Sequence, residues 1–206
     1  MKIGILAVQG AFAEHEQMLE QLGAEYIELR KGEDVRQSYD GLILPGGEST
    51  VQGKLMRELD MFDTIQSQIK NGMPVLATCA GAILLARQLS NDAATHLATL
   101  PAVVRRNAYG RQLGSFSVDE QIEGIGTFPM RFIRAPYIEK ALDDTKVLAK
   151  VDGNIVMVEN KNQLAMSFHP ELTSDTRIHE IVFRKKFRQK SVQKINKKSR
   201  LLFFLF

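Results

Sequence analysis

The sequence predicts an α/β fold: a three-layer sandwich with a mostly parallel central sheet and an antiparallel extension. Two patterns lead to this prediction. Over the first 90 residues, short apolar runs alternate with amphipathic helical stretches, which is typical of right-handed strand-helix-strand crossovers. In the second half, short β-like segments are separated by turn sequences such as Asp152-Gly153-Asn154, which favours antiparallel strands. A length of 206 residues suits one domain with a sizeable core.

The elements of the first half follow from local patterns. Residues 2–8 form an apolar run that ends at Gln9-Gly10, which predicts a buried strand. Residues 12–22 carry apolar side chains at helical spacing, and Gly23 ends that helix. The further predictions are strands at 25–29, 41–44 and 73–78, a polar loop at 30–39, helical sequence at 51–69 broken near Asp60, and a helix at 80–89.

The second half is predicted to hold the antiparallel strands, a late strand and a closing helix. These elements fall within residues 103–118, 132–158, 164–168 and 175–187. We expect one domain over residues 1–187. Residues 188–206 form a basic tail with an apolar end, LLFFLF, which we expect to lie outside the core.

Charge and composition exclude several classes of protein. Nine of the 27 basic residues lie between Arg184 and Arg200, and without them 18 basic residues face 24 acidic ones, a net charge of −6. The body of the chain is therefore not predicted to bind nucleic acid. The single cysteine excludes a disulfide scaffold, and no apolar run approaches the ~20 residues of a membrane span. Without a cleavable signal pattern, we expect a cytoplasmic protein that does not bind a membrane.

The lone cysteine, Cys79, follows a predicted strand and precedes a predicted helix, which is the layout of a nucleophile elbow. Such a turn lifts the side chain out of the sheet, and the helix N-terminus favours a thiolate. The N–H of Ala80 would then point to a developing oxyanion, and Gly81 leaves room for the turn. A buried structural cysteine is the alternative interpretation, about as frequent as the elbow for this pattern alone.

A histidine and a carboxylate follow the late strand, in Phe168-His169-Pro170-Glu171. His169 can act as the base for Cys79 and then as the acid for the leaving group, while Glu171 orients its imidazole. In an open α/β sheet, ligands bind at the carboxyl ends of the strands, where both segments lie. Alone, this segment would be read as a surface turn.

A glycine turn, Pro45-Gly46-Gly47, ends the third predicted strand and leads into Glu48-Ser49-Thr50. Two glycines allow a sharp turn whose N–H groups can face an anion. A tight turn that caps the next helix is the simpler interpretation of this segment by itself.

Together with three further segments, these motifs resemble the class I glutamine amidotransferases, whose triad is Cys-His-Glu. More narrowly, they resemble the glutaminase subunits of pyridoxal 5′-phosphate synthases. The resemblance covers about residues 1–180. The segments are QGAFAEH at 9–15, GLILPGGEST at 41–50, TCAG at 78–81, RNAYGRQ at 106–112, FIRAP at 132–136 and SFHPELT at 167–173.

The resemblance implies hydrolysis of L-glutamine to L-glutamate and ammonia, without metal or cofactor. The ammonia would pass to a synthase subunit, in a complex of twelve synthase and twelve glutaminase subunits. By matching position, Cys79 is the nucleophile, His169 the acid and base, and Glu171 the residue that orients it. The implied glutamine contacts are Gly47, Glu48, Ser49, Arg106, Ile133 and Arg134.

The chemistry of the reaction adds two expectations. The tetrahedral oxyanion needs backbone donors, which we assign to Ala80 and Gly47. The substrate's α-carboxylate needs cations or N–H groups, for which Arg106 and Arg134 are candidates, directly or through the loops that they hold. Without the resemblance, a surface ion pair would be the better interpretation of either arginine.

Three alternatives stay open at this point. The chain can be the glutaminase of another amidotransferase, a cysteine hydrolase of the same architecture, or a catalytically impaired binding subunit. The third arises because Ala77 stands where the family usually has glycine, two residues before the nucleophile. If its methyl group crowds the elbow, Ala77→Gly should raise activity. The histidines His15, His96 and His179 show no metal-ligand spacing, and His15 is predicted to lie on the surface.

Overall fold

The computed structural model describes residues 1–106 and 115–183. Predictions that fall on residues 107–114, which include most of the RNAYGRQ motif, lie outside the described residues. The same holds for the end of the closing helix, the boundary at 187 and the tail at 188–206.

The order of the elements matches the predicted alternation in the first half and the predicted run of strands in the second. The helices are α1 (Phe12–Gln21), α2 (Gly32–Val35), α3 (Ser49–Glu58), α4 (Phe62–Lys70), α5 (Ala80–Leu85) and α6, described over residues 177–183. The strands are β1 (Lys2–Leu6), β2 (Glu25–Leu29), β3 (Gly41–Leu44), β4 (Val75–Thr78), β5 (Ala86–Leu89), β6 (Leu100–Arg105), β7 (Ser115–Ile122), β8 (Gly126–Ile133), β9 (Tyr137–Ala141), β10 (Lys146–Val151), β11 (Asn154–Asn160) and β12 (Gln163–Met166).

The main sheet has a parallel half and a largely antiparallel half, as the sequence predicts. Within the described residues, its strand order is β2-β1-β3-β4-β12-β11-β9-β6-β5, and β10 pairs with β11. The five strands from β2 to β12 run parallel, whereas β11 is antiparallel to β12, β10 and β9. Strands β7 and β8 form a separate antiparallel pair. Neighbouring parallel strands bring their carboxyl ends to one edge of the sheet, next to the loops that follow β3, β4 and β12.

Apolar side chains fill both faces of the sheet, which gives the three layers. On one face, Met56 of α3, Ile65 of α4 and Leu84 of α5 are fully buried against the sheet. On the other face, Leu19 of α1 and Ile178 of α6 pack in a second cluster together with the β7–β8 pair. Because side chains alternate along β4, Ala77 faces the first cluster and Thr78 faces the second.

Two local predictions were wrong. Residues 86–89, expected to continue a helix, form strand β5, because a parallel ladder with β6 outweighs their helical propensity. Residues 32–35, expected to be loop, form the single turn α2. There, Asp34 Oδ2 accepts the backbone N–H groups of Arg30 and Lys31 at 2.9 and 3.0 Å. One turn is too short to show helical periodicity in a sequence.

Among the described residues, the helices are too short or too polar to cross a lipid bilayer.

Candidate active site

A cleft of about 540 Å³ opens at the carboxyl edge of the sheet. It collects residues from six separated parts of the sequence. Eight of the predicted site residues line it: Gly47, Glu48, Ser49, Cys79, Arg106, Ile133, Arg134 and His169. Glu171 lies behind His169 and is nearly fully buried, and Ala80 follows Cys79 at the fully buried start of α5.

Cys79 occupies a sharp strand-to-helix turn, the predicted elbow. Its φ and ψ angles are 47° and −102°, a region that non-glycine residues rarely adopt and that costs on the order of 1–3 kcal/mol. The thiol Sγ lies 3.9 Å from the backbone oxygen of Ile133. Position 81 requires glycine because the backbone of β3 passes close to it. A Cβ there would lie 2.0 Å from the carbonyl oxygen of Leu44. The elbow is therefore packed directly onto the end of β3.

His169 is held from its backbone and from its side chain. Its backbone N–H donates to the Arg131 oxygen at 2.8 Å, and its Nδ1 bonds Glu171 Oε1 at 2.6 Å. The other side of the ring lies against the glycine turn, since a Cβ on Gly46 would come within 2.2 Å of His169 Cε1. These contacts leave one orientation for the imidazole.

The electrostatics of this pair follow from its surroundings. Burial of His169 opposes protonation, but its interactions with Cys79 and Glu171 outweigh burial and raise the pKa of His169 to about 10. For Glu171 the effects are reversed. Burial by itself would raise the pKa of this carboxyl group, but the neighbouring His15 and His169 outweigh burial and hold the pKa below its usual value. The site therefore favours an imidazolium beside a carboxylate.

The glycine turn after β3 is fixed by two glutamines that sequence reasoning missed. Gln9 Oε1 accepts the backbone N–H of Glu48 at 2.7 Å. Gln52 Nε2 donates to the backbone oxygens of Gln9 and Pro45 at 2.9 and 3.3 Å. For Gln9, the signal that could have found it was its position next to Gly10, ahead of the first helix.

Arg106 contributes to the wall of the cleft through two fixed contacts. Its Nη1 pairs with Asp92 Oδ2 at 2.6 Å, and its Nη2 donates to Thr50 Oγ1 at 3.0 Å. Much of its charge is therefore balanced by Asp92. Its bond to Thr50 connects the start of α3 to the turn that follows β6. Arg134 also lines the cleft and has a φ angle of 43°, which is uncommon for a non-glycine residue.

His15 corrects a prediction. It was expected on the surface, but its side chain is fully buried and its Nε2 lies 3.5 Å from Glu171 Oε2. The spacing of His15 from the buried Met18 and Leu19 places all three on the inner face of α1, and that spacing was the available signal.

Ala77 fits its position without disturbing the strand. It is fully buried in β4 and pairs in parallel register with Leu44 of β3 and Ala165 of β12. Its methyl group faces the side of the sheet opposite to Thr78. The pairing of Ala77 with both neighbouring strands is regular.

Among the described residues, no group of three or more His, Cys, Asp or Glu side chains is arranged to hold a metal ion.

Comparisons with known proteins identify the family of the chain. The sequence profile of the SNO glutamine amidotransferase family matches residues 5–188. The chain is 62% identical over 181 residues to the pyridoxal 5′-phosphate synthase subunit PdxT of Desulfitobacterium hafniense, covering 88% of this chain and 91% of that protein. It is 52% identical over 183 residues to the PdxT subunit of Streptococcus pneumoniae, covering 87% of this chain and 94% of that protein.

A solved structure described as a glutamine amidotransferase superimposes with a TM-score of 0.84 at 42% identity, over 88% of this chain and 97% of the other. The solved structure of a GMP synthase subunit from Thermoplasma acidophilum, at 19% identity and a TM-score of 0.66, shares the fold. That superposition covers 94% of this chain and 98% of the other.

Proposed function

The chain belongs to the SNO glutamine amidotransferase family, and from that premise we propose that it hydrolyses L-glutamine to L-glutamate and ammonia for a pyridoxal 5′-phosphate synthase. The observation that carries the proposal is one set of contacts. A cysteine in a strained elbow faces the same cleft as a histidine whose other nitrogen bonds a buried carboxylate at 2.6 Å. That arrangement suits nucleophilic attack on an amide carbon.

The first half of the reaction forms a thioester. The Cys79 thiolate attacks the side-chain amide carbon of glutamine, and the backbone N–H groups of Ala80 and Gly47 stabilise the oxyanion. His169 then donates a proton to the amide nitrogen, the C–N bond breaks, and ammonia leaves. Glu171 holds the imidazolium in the orientation required for that transfer.

The second half releases glutamate. Neutral His169 takes a proton from a water molecule, whose oxygen attacks the thioester carbon. The C–S bond breaks, the Cys79 thiolate forms again, and L-glutamate leaves the site with its new side-chain carboxyl group. Each step uses only groups of the chain, the substrate and water.

The walls of the cleft bind the rest of the substrate in this proposal. Glu48 is the charged partner for the α-ammonium group, and the nearby Ser49 hydroxyl is a hydrogen-bonding group. Arg134 and the backbone of Ile133 face the α-carboxylate end. Arg106, already paired with Asp92, acts through the loop that it holds.

The synthase subunit is the proposed partner, and the ammonia passes to it inside the complex. Relatives named as pyridoxal 5′-phosphate synthase subunits support that partner. The family resemblance supports the stoichiometry that we propose, twelve subunits of each kind. We also propose a cytoplasmic location.

The test measures glutamate release from L-glutamine by the full chain, with and without a cognate pyridoxal phosphate synthase subunit. We expect activity that the synthase subunit stimulates, and a loss of about 1,000-fold or more in Cys79→Ala. Binding of the variant to the synthase subunit is the control for folding.

Each alternative has its own outcome in this experiment. Stimulation by another synthase alone would identify the glutaminase of a different amidotransferase. Binding to the partner without glutamate release would identify an impaired subunit, and hydrolysis of other substrates but not glutamine would identify a different cysteine hydrolase.

A further inference from the structure

Behind His169 and Glu171 lies a second, fully buried layer of polar side chains, which takes no part in the proposed reaction. It consists of His15 on α1, His179 on α6 and Thr78 at the end of β4, all at 0% exposure. His15 Nδ1 and His179 Nε2 are 2.8 Å apart. His15 Nε2 lies 3.4 Å from Thr78 Oγ1 and 3.5 Å from Glu171 Oε2.

The hydrogen-bonding pattern assigns the protons of the two imidazoles. Among the described residues, His179 Nδ1 is buried and has no hydrogen-bond partner. A buried N–H without an acceptor is rarer and more costly than an unused acceptor, so the proton of neutral His179 is on Nε2. That N–H donates to His15 Nδ1, and neutral His15 must therefore carry its own proton on Nε2.

Burial agrees with two neutral rings. It lowers the pKa of His179 to about 3, helped by His15, against the opposing effect of Glu171. Burial also lowers the pKa of His15, where the charge of His169 acts in the same direction and those of Glu171 and Glu14 oppose it.

The Nε2–H of His15 has Thr78 Oγ1 as its hydrogen-bond acceptor, at 3.4 Å, and Glu171 as its charged neighbour. One carboxylate oxygen, Oε1, bonds His169, whereas Oε2 is buried and has no hydrogen-bond partner among the described residues. His15 Nε2 lies 3.5 Å from Oε2, so its N–H acts on this oxygen as a nearby dipole. A buried carboxylate takes up a proton unless donors stabilise its charge. Thr78 is a third group at this carboxylate, 3.5 Å from Oε1, and its Oγ1 also accepts the N–H of Gly46 at 3.0 Å.

We propose that His15, oriented by His179, is a positioning residue of the active site, whose Nε2–H keeps Glu171 ionised and aligned on His169. This inference rests on the proposed function of the Cys79–His169–Glu171 set. Loss of the donor weakens the carboxylate as a partner for the imidazolium. The thiolate–imidazolium pair then forms only at higher pH.

Alkylation of Cys79 by iodoacetamide measures this effect without glutamine or a partner protein. Cys79 is the single cysteine of the chain, so the rate of alkylation of the full-length protein reports on it alone. The rate is followed against pH, because the thiolate is the form that reacts.

Two amide variants of His15 distinguish the loss of the Nε2–H donor from a change in polarity or size. His15→Gln can place an amide N–H where Nε2–H stands, whereas His15→Asn reaches only the position of Nδ1 and keeps the bond to His179. We expect the midpoint pH of alkylation to rise by about one unit in His15→Asn and to stay close to the wild-type value in His15→Gln. His96→Gln, which alters a half-buried histidine outside this layer, is the matched control and should cause no shift.

His179→Leu and His179→Gln test the orienting role. Leucine removes the donor to His15 Nδ1 and should raise the midpoint, whereas glutamine keeps a donor and should not. Thermal unfolding of every variant identifies any that fails to fold, and the pair of variants at each histidine gives an independent answer.

Equal midpoints for His15→Asn and the wild type, or equal shifts for the Asn and Gln variants, would overturn the inference. This result is distinct from failure of the proposed function. A protein that shows the expected shifts but releases no glutamate with the synthase subunit would retain the His15 role and lose the proposed reaction.

Discussion

Two histidine sites lie on opposite sides of one carboxylate and have opposite charge preferences. His169 faces the cleft, and its interactions with Cys79 and Glu171 raise its pKa to about 10 despite burial. His179, on the far side, has no such partners, and burial lowers its pKa to about 3. Glu171 separates the two sites, with Oε1 on His169 and Oε2 towards His15.

The difference shows that burial alone does not set the charge of a histidine. Both rings are mostly or fully buried, so desolvation disfavours the cation in each. A direct hydrogen bond to a carboxylate and the presence of a thiol decide the outcome at His169. Behind the carboxylate, the neighbouring groups are a second imidazole and a hydroxyl, and the rings stay neutral.

Removing the charge of Glu171 should produce the largest effect. In Glu171→Gln, the amide cannot stabilise an imidazolium, and its NH₂ group would face His15 Nε2–H. We expect glutamate release with the synthase partner to fall by about 1,000-fold. Glu25→Gln, on an exposed residue of β2, is the control, and retention of a tenth of wild-type activity in Glu171→Gln would contradict the assigned role.

Moving His169 without changing any charge should have the next largest effect. A Cβ in Gly46→Ala would meet His169 Cε1 at 2.2 Å, so the ring must shift. We expect a loss of about 100-fold in kcat. Gly153→Ala is the control: its φ is +78° and open space surrounds it, so it should lose about 1 kcal/mol of stability but no activity. Equal kcat values for the two variants would contradict the prediction.

The neutral histidine should appear in the pH dependence of stability. Because the folded pKa of His179 is about 3 and the unfolded value about 6.5, the unfolded state binds the extra proton between these pH values. Stability therefore falls as pH drops from about 6.5 towards 3, by about 1.4 kcal/mol per pH unit for one such group. The sign is opposite for His169, whose contribution is present below about 6.5 and is lost as pH rises through about 10.

Urea unfolding at a series of pH values checks this prediction. His179→Gln removes the titrating group, so its stability should fall less steeply on acidification, by about 1 kcal/mol per pH unit. Identical slopes for the variant and the wild type would show that His179 does not stay neutral in the folded protein.

The smallest effect is expected on the other face of the same strand. Ala77 sits one residue before Thr78 but faces away from both histidine sites, in regular parallel register. Ala77→Gly should lower the free energy of unfolding by about 0.5–1 kcal/mol, because glycine weakens a strand interior, and leave glutamate release unchanged. An increased rate would show that the methyl group does crowd the elbow.

Local sequence patterns predicted most of the elements and the residues that line the cleft. The abrupt ends of β3 and β4, at Gly46 and Cys79, and the turn after β12, at His169, identified the carboxyl edge of the sheet. Strand β5 was mistaken for helix because its pairing with β6 is a tertiary contact that outweighs local propensity.

The sequence by itself determined the alternation of elements, the elbow at Cys79 and the glycine turn, because each depends on the chemistry of adjacent residues. Only the tertiary structure decided the surroundings of Glu171. His15 and His179 are 164 positions apart and meet at 2.8 Å because α1 and α6 pack on the same face of the sheet. A buried polar contact between distant elements has no local pattern, and its electrostatic effect depends on burial that only packing creates.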